Sequence, residues 1–420
     1  MNYPDSVHFL YALGNEIKTA KLGLDRITRV LDELGRPQDR FRIVHVAGTN
    51  GKGSTCAMIE SALRAAGRRT GLFTSPHLAE PTERIQIGGR AISSARFAEA
   101  FDKVHAAVER VLDMHTTYFE TVTAMALLVF AEERVDTAVL EVGLGGRLDA
   151  TNVVTPELCV ITPIDFDHEQ YLGRSLEAIA GEKAGILKRG VPAVFAQQRP
   201  EAARVLDGRA AELGIVVTRT SDWTIGDLDL DARGSRFVGQ VSDLPRPLRI
   251  HCPLAGEHQA QNAVTAAAAL VELGIPAAAI ETGIASARWP GRLEHVGANP
   301  DIILDGAHNP SGARSLATYI DRFYSGRKIR LIFGTMRDKA VDEIGGILFP
   351  KAQQVIVTAP KQARALAPEA IREMTHHSDL QVAPAVEDAL NLVRDATPGE
   401  VIFITGSLFL VAEARAVLVG

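Results

Sequence analysis

This chain contains few cysteines and carries no net positive charge. Only three of its 420 residues are cysteines, and no pair has the C-x-x-C spacing, so the sequence predicts neither a disulfide framework nor a thiolate zinc site. A reducing, cytoplasmic location fits this composition. Lys and Arg number 45 against 51 Asp and Glu, and the formal net charge of -6 argues against nucleic acid or an acidic membrane surface as a partner.

Long apolar runs are missing as well. The apolar stretch at residues 122–130 falls well short of the ~18 residues that a membrane-spanning helix needs. What the chain contains instead is 46% hydrophobic and 23% charged residues, which is typical of a globular protein. At roughly 150 residues per domain, this length predicts two or three domains.

Strand-length apolar runs alternate with helix-period stretches almost throughout, which is typical of βαβ units around a parallel sheet. We therefore predict an α/β protein: a doubly wound, mainly parallel sheet domain with a phosphate loop over residues 1–295, then a smaller Rossmann-like domain over residues 296–420. Residues 288–300, with two prolines and two glycines, mark the predicted border. We expect residues 200–250 to be less regular, with a small antiparallel extension at their end.

The strongest local motif, V-A-G-T-N-G-K-G-S-T, runs from Val46 to Thr55 between a predicted strand and a predicted helix. Glycines let backbone N–H groups turn towards an anion, the helix N-terminus adds its positive dipole, and Lys52 supplies a charge for the outer phosphates. The motif departs from G-x-x-x-x-G-K-[ST], because Val46 replaces the first glycine and Gly53 separates Lys52 from Ser54. It predicts a variant phosphate loop; the alternative is a glycine-rich turn with a solvated lysine.

Two polar side chains follow predicted strands that end at one edge of the sheet. Glu141 lies at the end of the strand at residues 137–142, and His168 follows the strand at residues 158–162. Ligands bind at the carboxyl edge of parallel sheets, and a carboxylate beside a phosphate loop commonly holds Mg²⁺. The alternatives are an exposed strand-end acid and a structural histidine.

Further motifs occur in a fixed order along the chain. They are Ser75-Pro-His-Leu78 with Glu83-Arg-Ile85, Thr117-Tyr-Phe-Glu120, Glu141-Val-Gly-Leu-Gly-Gly-Arg-Leu-Asp149 with Ala150-Thr-Asn152, Asp167-His168, Glu182-Lys-Ala-Gly-Ile186, Asn262, Pro290-Gly-Arg292, Asp305-Gly-Ala-His-Asn-Pro310 and Thr405-Gly-Ser407. With the phosphate loop, this set resembles the folylpolyglutamate synthase and dihydrofolate synthase family, a branch of the Mur ligase superfamily. The resemblance covers nearly the whole chain, from Asp25 to Val417.

The resemblance implies a nucleotide and metal site that includes Lys52, Glu141, His168 and Lys183 as catalytic residues. The residues implied to bind ATP are Thr49, Asn50, Gly51, Lys52, Gly53, Ser54, Asn262, Arg292, Asp305 and His308. The residues implied to hold two Mg²⁺ ions are Ser75, Glu141, His168 and Lys183. Lys183 is implied to be a carbamate, because CO₂ addition turns a lysine cation into an anionic oxygen ligand. Taken alone, Lys183 indicates only a solvated helix lysine.

The resemblance also implies the substrates. The residues implied to hold the pterin substrate are Thr117, Tyr118, Phe119, Glu120, Leu148, Asp149 and Ala150. The implied reaction uses ATP to join L-glutamate to dihydropteroate, to the γ-carboxylate of folates, or to both, through an acyl phosphate. The Thr-Tyr-Phe-Glu segment resembles that of bifunctional enzymes, so we expect both activities; a folylpolyglutamate synthase alone is the alternative. We expect a monomer with only these small-molecule partners, no nucleic acid and no membrane.

Two rival functions are open. A peptidoglycan Mur ligase would act on a UDP-linked sugar peptide, but only 47 residues precede Gly48, too few for the uridine-binding domain that those enzymes place before the loop. A nucleotide-binding regulatory module would retain ATP affinity yet release no phosphate when glutamate and folate are both supplied.

Overall fold

The structure, a computed structural model, describes residues 1–14, 23–242 and 244–419. Within them the chain forms two compact units, each assembled from several stretches of sequence. The first unit comprises Met1–Gly226, Val238–Ile250 and Gln261–Ala287, and the second comprises Asp227–Phe237, His251–Ala260 and Arg288–Gly420. The proposed border at residues 295/296 divides the sequence into two continuous domains, whereas both compact units are discontinuous.

An eight-stranded sheet forms the centre of the first unit. Its strands are β1 (Arg42–Ala47), β2 (Thr70–Phe73), β3 (Ile85–Ile87), β4 (Arg90–Ala91), β5 (Thr137–Glu141), β6 (Leu158–Ile161), β7 (Ala193–Phe195) and β8 (Val217–Arg219). They lie in the order β4-β3-β2-β5-β1-β6-β7-β8, and all neighbouring pairs are parallel except β4–β3 and β3–β2. Val46 pairs with Glu141, so β1 and β5 end side by side.

Helices accompany the strands of this sheet. They are α1 (Tyr3–Ala12), α2 (Asp25–Glu33), α3 (Lys52–Ala65), α4 (Ser94–Val111), α5 (Tyr118–Glu132), α6 (Glu169–Leu172), α7 (Leu176–Ala184), α8 (Pro200–Leu213), α9 (Glu257–Glu272) and α10 (Ala277–Ala285). The apolar run at residues 122–130 lies in α5, whose side chains are buried on nearly all sides, as expected for a core helix. Among the described residues, no helix combines the length and apolar character needed to cross a membrane.

Residues 200–250 are more regular than their composition predicts. They begin with the 14-residue helix α8, which has Pro200 at its first position and Gly214 in the left-handed conformation at its end. The expectation of an irregular stretch is therefore wrong for this part. After it, β9 (Thr224–Asp231) and β10 (Gly234–Gln240) form a hairpin around a two-residue turn, and β11 (Leu248–Cys252) completes a three-stranded sheet in the order β11-β10-β9.

A six-stranded sheet forms the centre of the second unit, in the order β12-β13-β17-β14-β15-β16. Its strands are β12 (Glu294–Ala298), β13 (Asp301–Leu304), β14 (Lys328–Phe333), β15 (Gln354–Val357), β16 (Leu380–Val382) and β17 (Glu400–Thr405). Its helices are α11 (Pro310–Phe323), α12 (Val341–Leu348), α13 (Pro368–Met374), α14 (Val386–Asn391) and α15 (Leu408–Val419). Only β12 is antiparallel, and it lies in the segment that the sequence indicates as a border. The two mainly parallel sheets confirm the predicted α/β fold class.

Candidate functional site

The predicted phosphate loop connects the end of β1 to the start of α3. Gly48 and Gly51 have φ angles of +148° and +84°, in the region that favours glycine. A Cβ on Gly48 would lie 1.9 Å from Thr162 Oγ1, and one on Gly51 would lie 2.3 Å from Asn262 Oδ1. Both positions therefore require glycine, and Asn262 lies directly against the loop, as expected for a residue of the same site.

Backbone contacts anchor the first part of this loop to the segment after β6. The N–H groups of Thr49 and Asn50 donate to the Pro163 carbonyl, at 3.0 and 3.3 Å. The Thr49 hydroxyl donates to the Asp165 carbonyl at 2.9 Å and accepts from the Asp165 N–H at 3.0 Å. These two amides thus point away from a ligand. The N–H groups of residues 52–54, at the start of α3, have no carbonyl partner inside the helix and can bind an anion, whereas the Thr55 N–H donates to the Gly51 carbonyl at 2.9 Å.

Two lysines converge on one carbonyl of the loop. Lys52 Nζ donates to the carbonyls of Gly48 and Thr49, at 3.2 and 3.1 Å, and Lys183 Nζ donates to the Gly48 carbonyl at 2.7 Å. The Lys183 side chain lies in α7 and is buried. Burial and the nearby Lys52 charge lower the pKa of Lys183 to about 7. A large fraction of Lys183 is therefore a neutral amine at neutral pH, unlike a solvated helix lysine.

Glu141 and Ser75 come together at the same edge of the sheet. Glu141 ends β5 and is buried, and its Oε2 accepts a hydrogen bond of 3.1 Å from the Ser75 N–H. The loop after Ser75 is held by Glu83, whose carboxylate accepts hydrogen bonds of 2.8 to 3.0 Å from the N–H groups of residues 78, 79 and 80. Ser75 is thereby fixed next to the Glu141 carboxylate.

His168 adopts an unusual backbone conformation just before α6, with φ of +53°. Its Nε2 lies 3.8 Å from Asp167 Oδ2, and its N–H donates to Asp167 Oδ1 at 2.9 Å. The charge of Asp167 also acts on the pKa of Lys183, which it raises against the larger effect of burial. Asp167 therefore lies near both His168 and Lys183, and sequence reasoning gave it no role of its own.

Thr117 and Glu120, two predicted substrate residues, form the N-terminal cap of α5. The Thr117 side chain accepts from the Glu120 N–H at 3.2 Å, and the Glu120 carboxylate accepts from the Thr117 N–H at 2.7 Å, which is a capping box. Glu120 also forms an ion pair of 2.9 Å with Arg26. The structure thus gives both residues a local structural role, and their substrate contacts stay a prediction.

The two aromatic residues between them have different surroundings. Tyr118 is buried, with the Arg84 guanidinium 5.1 Å from its ring centre and the Tyr11 ring stacked on it at 5.7 Å. Phe119 lies against the loop after β5, since a Cβ on Gly143 would be 2.5 Å from the end of its ring. That loop carries Leu148, Asp149 and Ala150, so the structure brings Phe119 together with this second predicted substrate segment.

The second unit contributes a separate cluster of predicted residues after β13. The Asp305 carboxylate is buried and accepts hydrogen bonds of 3.0 Å from the N–H groups of Leu293 and Ala307. Burial raises the pKa of Asp305, and Arg292 opposes that rise. His308 Nδ1 donates to the Gly306 carbonyl at 2.8 Å, which fixes its tautomer.

Sequence reasoning missed one member of this second cluster. Burial and the neighbouring Arg292 charge lower the pKa of His258, near the start of α9, to about 4, so His258 is neutral at physiological pH. A Cβ on Gly306 would lie 2.2 Å from Arg292 Nη1, so the glycine leaves room for the guanidinium. No pattern around His258 in the sequence indicated this environment.

Comparison with known proteins identifies the relatives of the chain. Family models match residues 46–270 (Mur ligase middle domain) and residues 291–408 (Mur ligase, glutamate ligase domain). The folylpolyglutamate synthase of Lacticaseibacillus casei is 36% identical, over 100% of this chain and 99% of that protein. The dihydrofolate synthase/folylpolyglutamate synthase of Bacillus subtilis is 35% identical, over 94% of each. The structure of Escherichia coli FolC with DHPP and ADP has a TM-score of 0.90 and 32% identity, over 99% of this chain and 97% of that one.

Proposed function

The chain belongs to the folylpolyglutamate synthase and dihydrofolate synthase family of Mur ligases, which are ATP-dependent ligases, and from this premise we propose that it joins L-glutamate both to dihydropteroate and to the γ-carboxylate of folates. One observation carries the proposal. The phosphate loop at residues 48–54 sets Lys52 and the N-terminus of α3 next to the strand end that carries Glu141. The loop thus supplies positive groups and the strand a metal-binding carboxylate at one edge of the sheet.

The proposed chemistry proceeds in two steps. A carboxylate is a poor acyl donor because its leaving group would be oxide. An oxygen of the substrate carboxylate therefore attacks the γ-phosphorus of ATP, ADP leaves, and an acyl phosphate forms. The neutral amine of L-glutamate attacks the acyl carbon, phosphate leaves, and the new amide loses a proton. Phosphoryl transfer depends on positioning and charge neutralisation, which Lys52 and the first-turn amides of α3 can supply without a side-chain nucleophile.

The donor groups near the loop fit Mg²⁺. Mg²⁺ prefers oxygen ligands and is usually held by one or two carboxylates together with substrate phosphates and water. Over the described ranges, no group of three or more His, Cys, Asp or Glu side chains could hold a metal alone. We propose Ser75 and Glu141 for one ion, and Glu141 with His168 and Lys183 for a second. Bound ions would neutralise charge on the phosphates.

We also propose that Lys183 is carbamylated. Its low pKa of about 7 supports this, because only the neutral amine adds CO₂. The Nζ–C bond forms, the former amine releases one proton, and the neutral amine becomes an anionic carbamate. The change would remove the repulsion between Lys183 and Lys52, whose amines share the Gly48 carbonyl.

The nucleotide contacts of the second unit are likewise proposals. Arg292 and Asp305 are within the same cluster, and His308 presents a fixed tautomer beside them. Asn262 of the first unit supports the ATP assignment directly, because it packs against Gly51 of the phosphate loop. We propose in addition a cytoplasmic monomer with small-molecule substrates and no nucleic acid or membrane partner, and sedimentation of the purified chain would check its oligomeric state.

Two activities can be separated by one set of assays. The Bacillus subtilis relative has both activities in its name, and the Escherichia coli structure contains DHPP, which supports the bifunctional proposal. ADP release should be measured with dihydropteroate and with tetrahydrofolate, each with and without L-glutamate. We expect glutamate-dependent turnover with both acceptors. If turnover occurs with tetrahydrofolate and not with dihydropteroate, the protein lacks dihydrofolate synthase activity. ATP binding without phosphate release would indicate a regulatory module.

A further inference from the structure

The segment that carries Arg292 has an unfavourable backbone conformation. Gly291 and Leu293, on either side of Arg292, have φ angles of +72° and +46°. Glycine adopts this left-handed region readily, whereas leucine adopts it only where surrounding contacts hold it there. The Arg292 guanidinium also bonds to its own segment, because its Nη1 donates to the Gly291 carbonyl at 3.2 Å. The direction of the guanidinium therefore depends on the groups that fix its two neighbours.

Two carboxylates hold the backbone N–H groups on either side of Arg292. Asp305 Oδ2 accepts from the Leu293 N–H at 3.0 Å, and Glu294 Oε2 accepts from the Gly291 N–H at 2.9 Å. The charge of a carboxylate makes such hydrogen bonds stronger than those to a neutral acceptor. Asp305 is already proposed as a nucleotide contact, whereas Glu294 has no role in the proposed site. Glu294 is thus a group outside that site which fixes the residue before Arg292.

Glu294 is held in turn by Arg415 of α15. Arg415 Nε donates to both oxygens of the Glu294 carboxylate, at 3.0 and 3.1 Å. The Arg415 and Glu294 side chains are 32% and 21% exposed, so solvent screens this ion pair only in part. Because Oε2 accepts from Arg415 and from the Gly291 N–H at once, the contacts run from α15 through Glu294 to the residue next to Arg292.

We propose that Glu294 is a positioning residue for Arg292, and that Arg415 holds Glu294 in place for that role. The inference rests on the proposed function, which assigns Arg292 to ATP. It goes beyond that function because it makes nucleotide binding depend on an ion pair between α15 and the start of β12. Loss of Glu294 should weaken nucleotide binding by displacing Arg292, and should leave the binding of the pterin acceptors unchanged.

Glu294→Ala tests the first link, because it removes the acceptor of the Gly291 N–H. We expect the Kd for MgATP, measured by isothermal titration calorimetry, to rise about tenfold, as for the loss of one hydrogen bond to a charged group. The KM for tetrahydrofolate should stay within about twofold of the parent. In an Arg292→Ala background, Glu294→Ala should leave the Kd nearly unchanged, since a residue that acts through Arg292 has no effect without it.

Arg415→Ala tests the second link. Glu294 keeps its bond to the Gly291 N–H in this variant, so we expect a smaller rise of about threefold in the Kd for MgATP, and Arg415→Lys should restore part of it. Asp301→Ala is the matched control, because it breaks another ion pair of the second unit, Arg327–Asp301 at 2.7 Å, whose side chains are 32% and 18% exposed. It should lower stability towards urea and leave the Kd for MgATP within about twofold of the parent.

Several results would overturn the inference. A parent-like Kd in Glu294→Ala would exclude the first link, and an equal rise in the KM for tetrahydrofolate would indicate general loosening. An undiminished effect in the Arg292→Ala background would show that Glu294 acts independently of Arg292. A parent-like Kd in Arg415→Ala would exclude the second link.

A second variant and a separate readout keep these tests decisive. If Glu294→Ala does not fold, Glu294→Gln replaces it, because glutamine keeps an oxygen for the Gly291 N–H but loses the charge that binds Arg415. We expect a rise of about threefold in the Kd for MgATP, and an unchanged Kd would overturn the inference. A parent that binds MgATP but glutamylates neither acceptor would refute the proposed function alone, while the Kd comparisons would still decide the inference.

Discussion

At the scale of single residues, the pairing of Lys52 with Lys183 is the most informative contact. Two amines that share the Gly48 carbonyl repel each other when both are charged, and the buried one has the lowered pKa. Lys52 begins α3 and is the proposed charge for the phosphates, whereas Lys183 is the proposed site of carbamylation. Replacing Lys52 and replacing Lys183 should therefore impair activity for different physical reasons.

Lys52→Ala should reduce turnover by at least about 100-fold, because it removes a fixed positive charge from the transferring phosphoryl group. The fold should persist, since the bonds of the Lys52 amine within the described residues are to carbonyls of the loop. Steady-state ADP release together with circular dichroism would check this. Lys103→Ala, which removes an exposed lysine of α4, serves as the control and should retain parent activity. Near-parent turnover in Lys52→Ala would refute the loop assignment.

Lys183→Ala should abolish activity, and short carboxylates such as formate or acetate should restore part of it. The physical reason is that an added anion can occupy the place of the proposed carbamate oxygens. Turnover titrated against acetate would check the rescue, with sodium chloride at equal ionic strength as the control. Equal recovery with chloride, or a variant as active as the parent, would contradict a carbamate at this position.

His45 should make the protein sensitive to acid. Its pKa falls from 6.5 to about 3 on folding, so between these pH values the unfolded chain binds a proton that the folded chain does not. This contribution to stability is complete above pH 6.5 and is lost as the pH falls towards 3. The midpoint of urea unfolding, measured at pH 7.5 and 4.5, should drop less in His45→Gln than in the parent. His8→Gln, at an exposed histidine, should behave like the parent; equal losses in all three would contradict the prediction.

At the scale of elements, the two ends of α3 allow the effect of a strained φ angle to be distinguished from the effect of a steric clash. Gly51 before the helix and Gly67 after it have φ angles of +84° and +81°, but only Gly51 faces a neighbour, Asn262. Alanine at Gly67 should therefore lower the free energy of unfolding by about 1 kcal/mol, and alanine at Gly51 should lower it by more, because its Cβ would also lie 2.3 Å from Asn262 Oδ1. Gly51→Ala alone should also raise the KM for ATP. Denaturant unfolding and ATP kinetics of both variants would check this, and a parent-like KM in Gly51→Ala would contradict it.

The sequence predicted best the helices and strands whose local residue pattern agrees with their burial in the fold. The apolar runs of β5 (Thr137–Glu141) and β6 (Leu158–Ile161) were predicted to within one residue of their observed bounds, because buried parallel strands are continuously apolar. Helix α8 was not predicted because its surface is mostly polar and residues 200–250 as a whole are rich in turn-forming residues. Strand β12 was not predicted because the two prolines and two glycines of residues 288–300 indicated a domain border, although an edge strand tolerates such residues.

The candidate site likewise contains residues that could be located from the sequence and contacts that could not. The phosphate loop and Glu141 could be located from the sequence because glycine spacing and strand ends are local features. The hydrogen bond of 2.8 Å between the buried side chains of His45 and Thr151 could not be located in this way, because these residues are 106 positions apart and only the pairing of β1 with β5 and β6 brings them together. Pairings of this kind depend on tertiary packing and leave no pattern in a single sequence.

At the scale of the whole molecule, the net charge of -6 is notable for a protein that is proposed to bind ATP, a folate carboxylate and glutamate. Global charge disfavours large polyanions, but it does not decide the binding of small anions. Local positive groups decide it: the first turn of α3, Lys52 in the first unit and Arg292 in the second. Binding of ATP should therefore weaken with salt far less than the binding of a polyanion would.

The central claim is that this chain forms a glutamyl amide at the expense of ATP on two different pterin acceptors. Mass spectrometry of the products tests it most directly, with purified protein, MgATP and L-glutamate supplied with dihydropteroate in one reaction and tetrahydrofolate in another. The account predicts that each acceptor gains one or more glutamyl residues, with one ADP released per residue added and no product when glutamate is omitted. ADP release without any glutamylated product from either acceptor would contradict it.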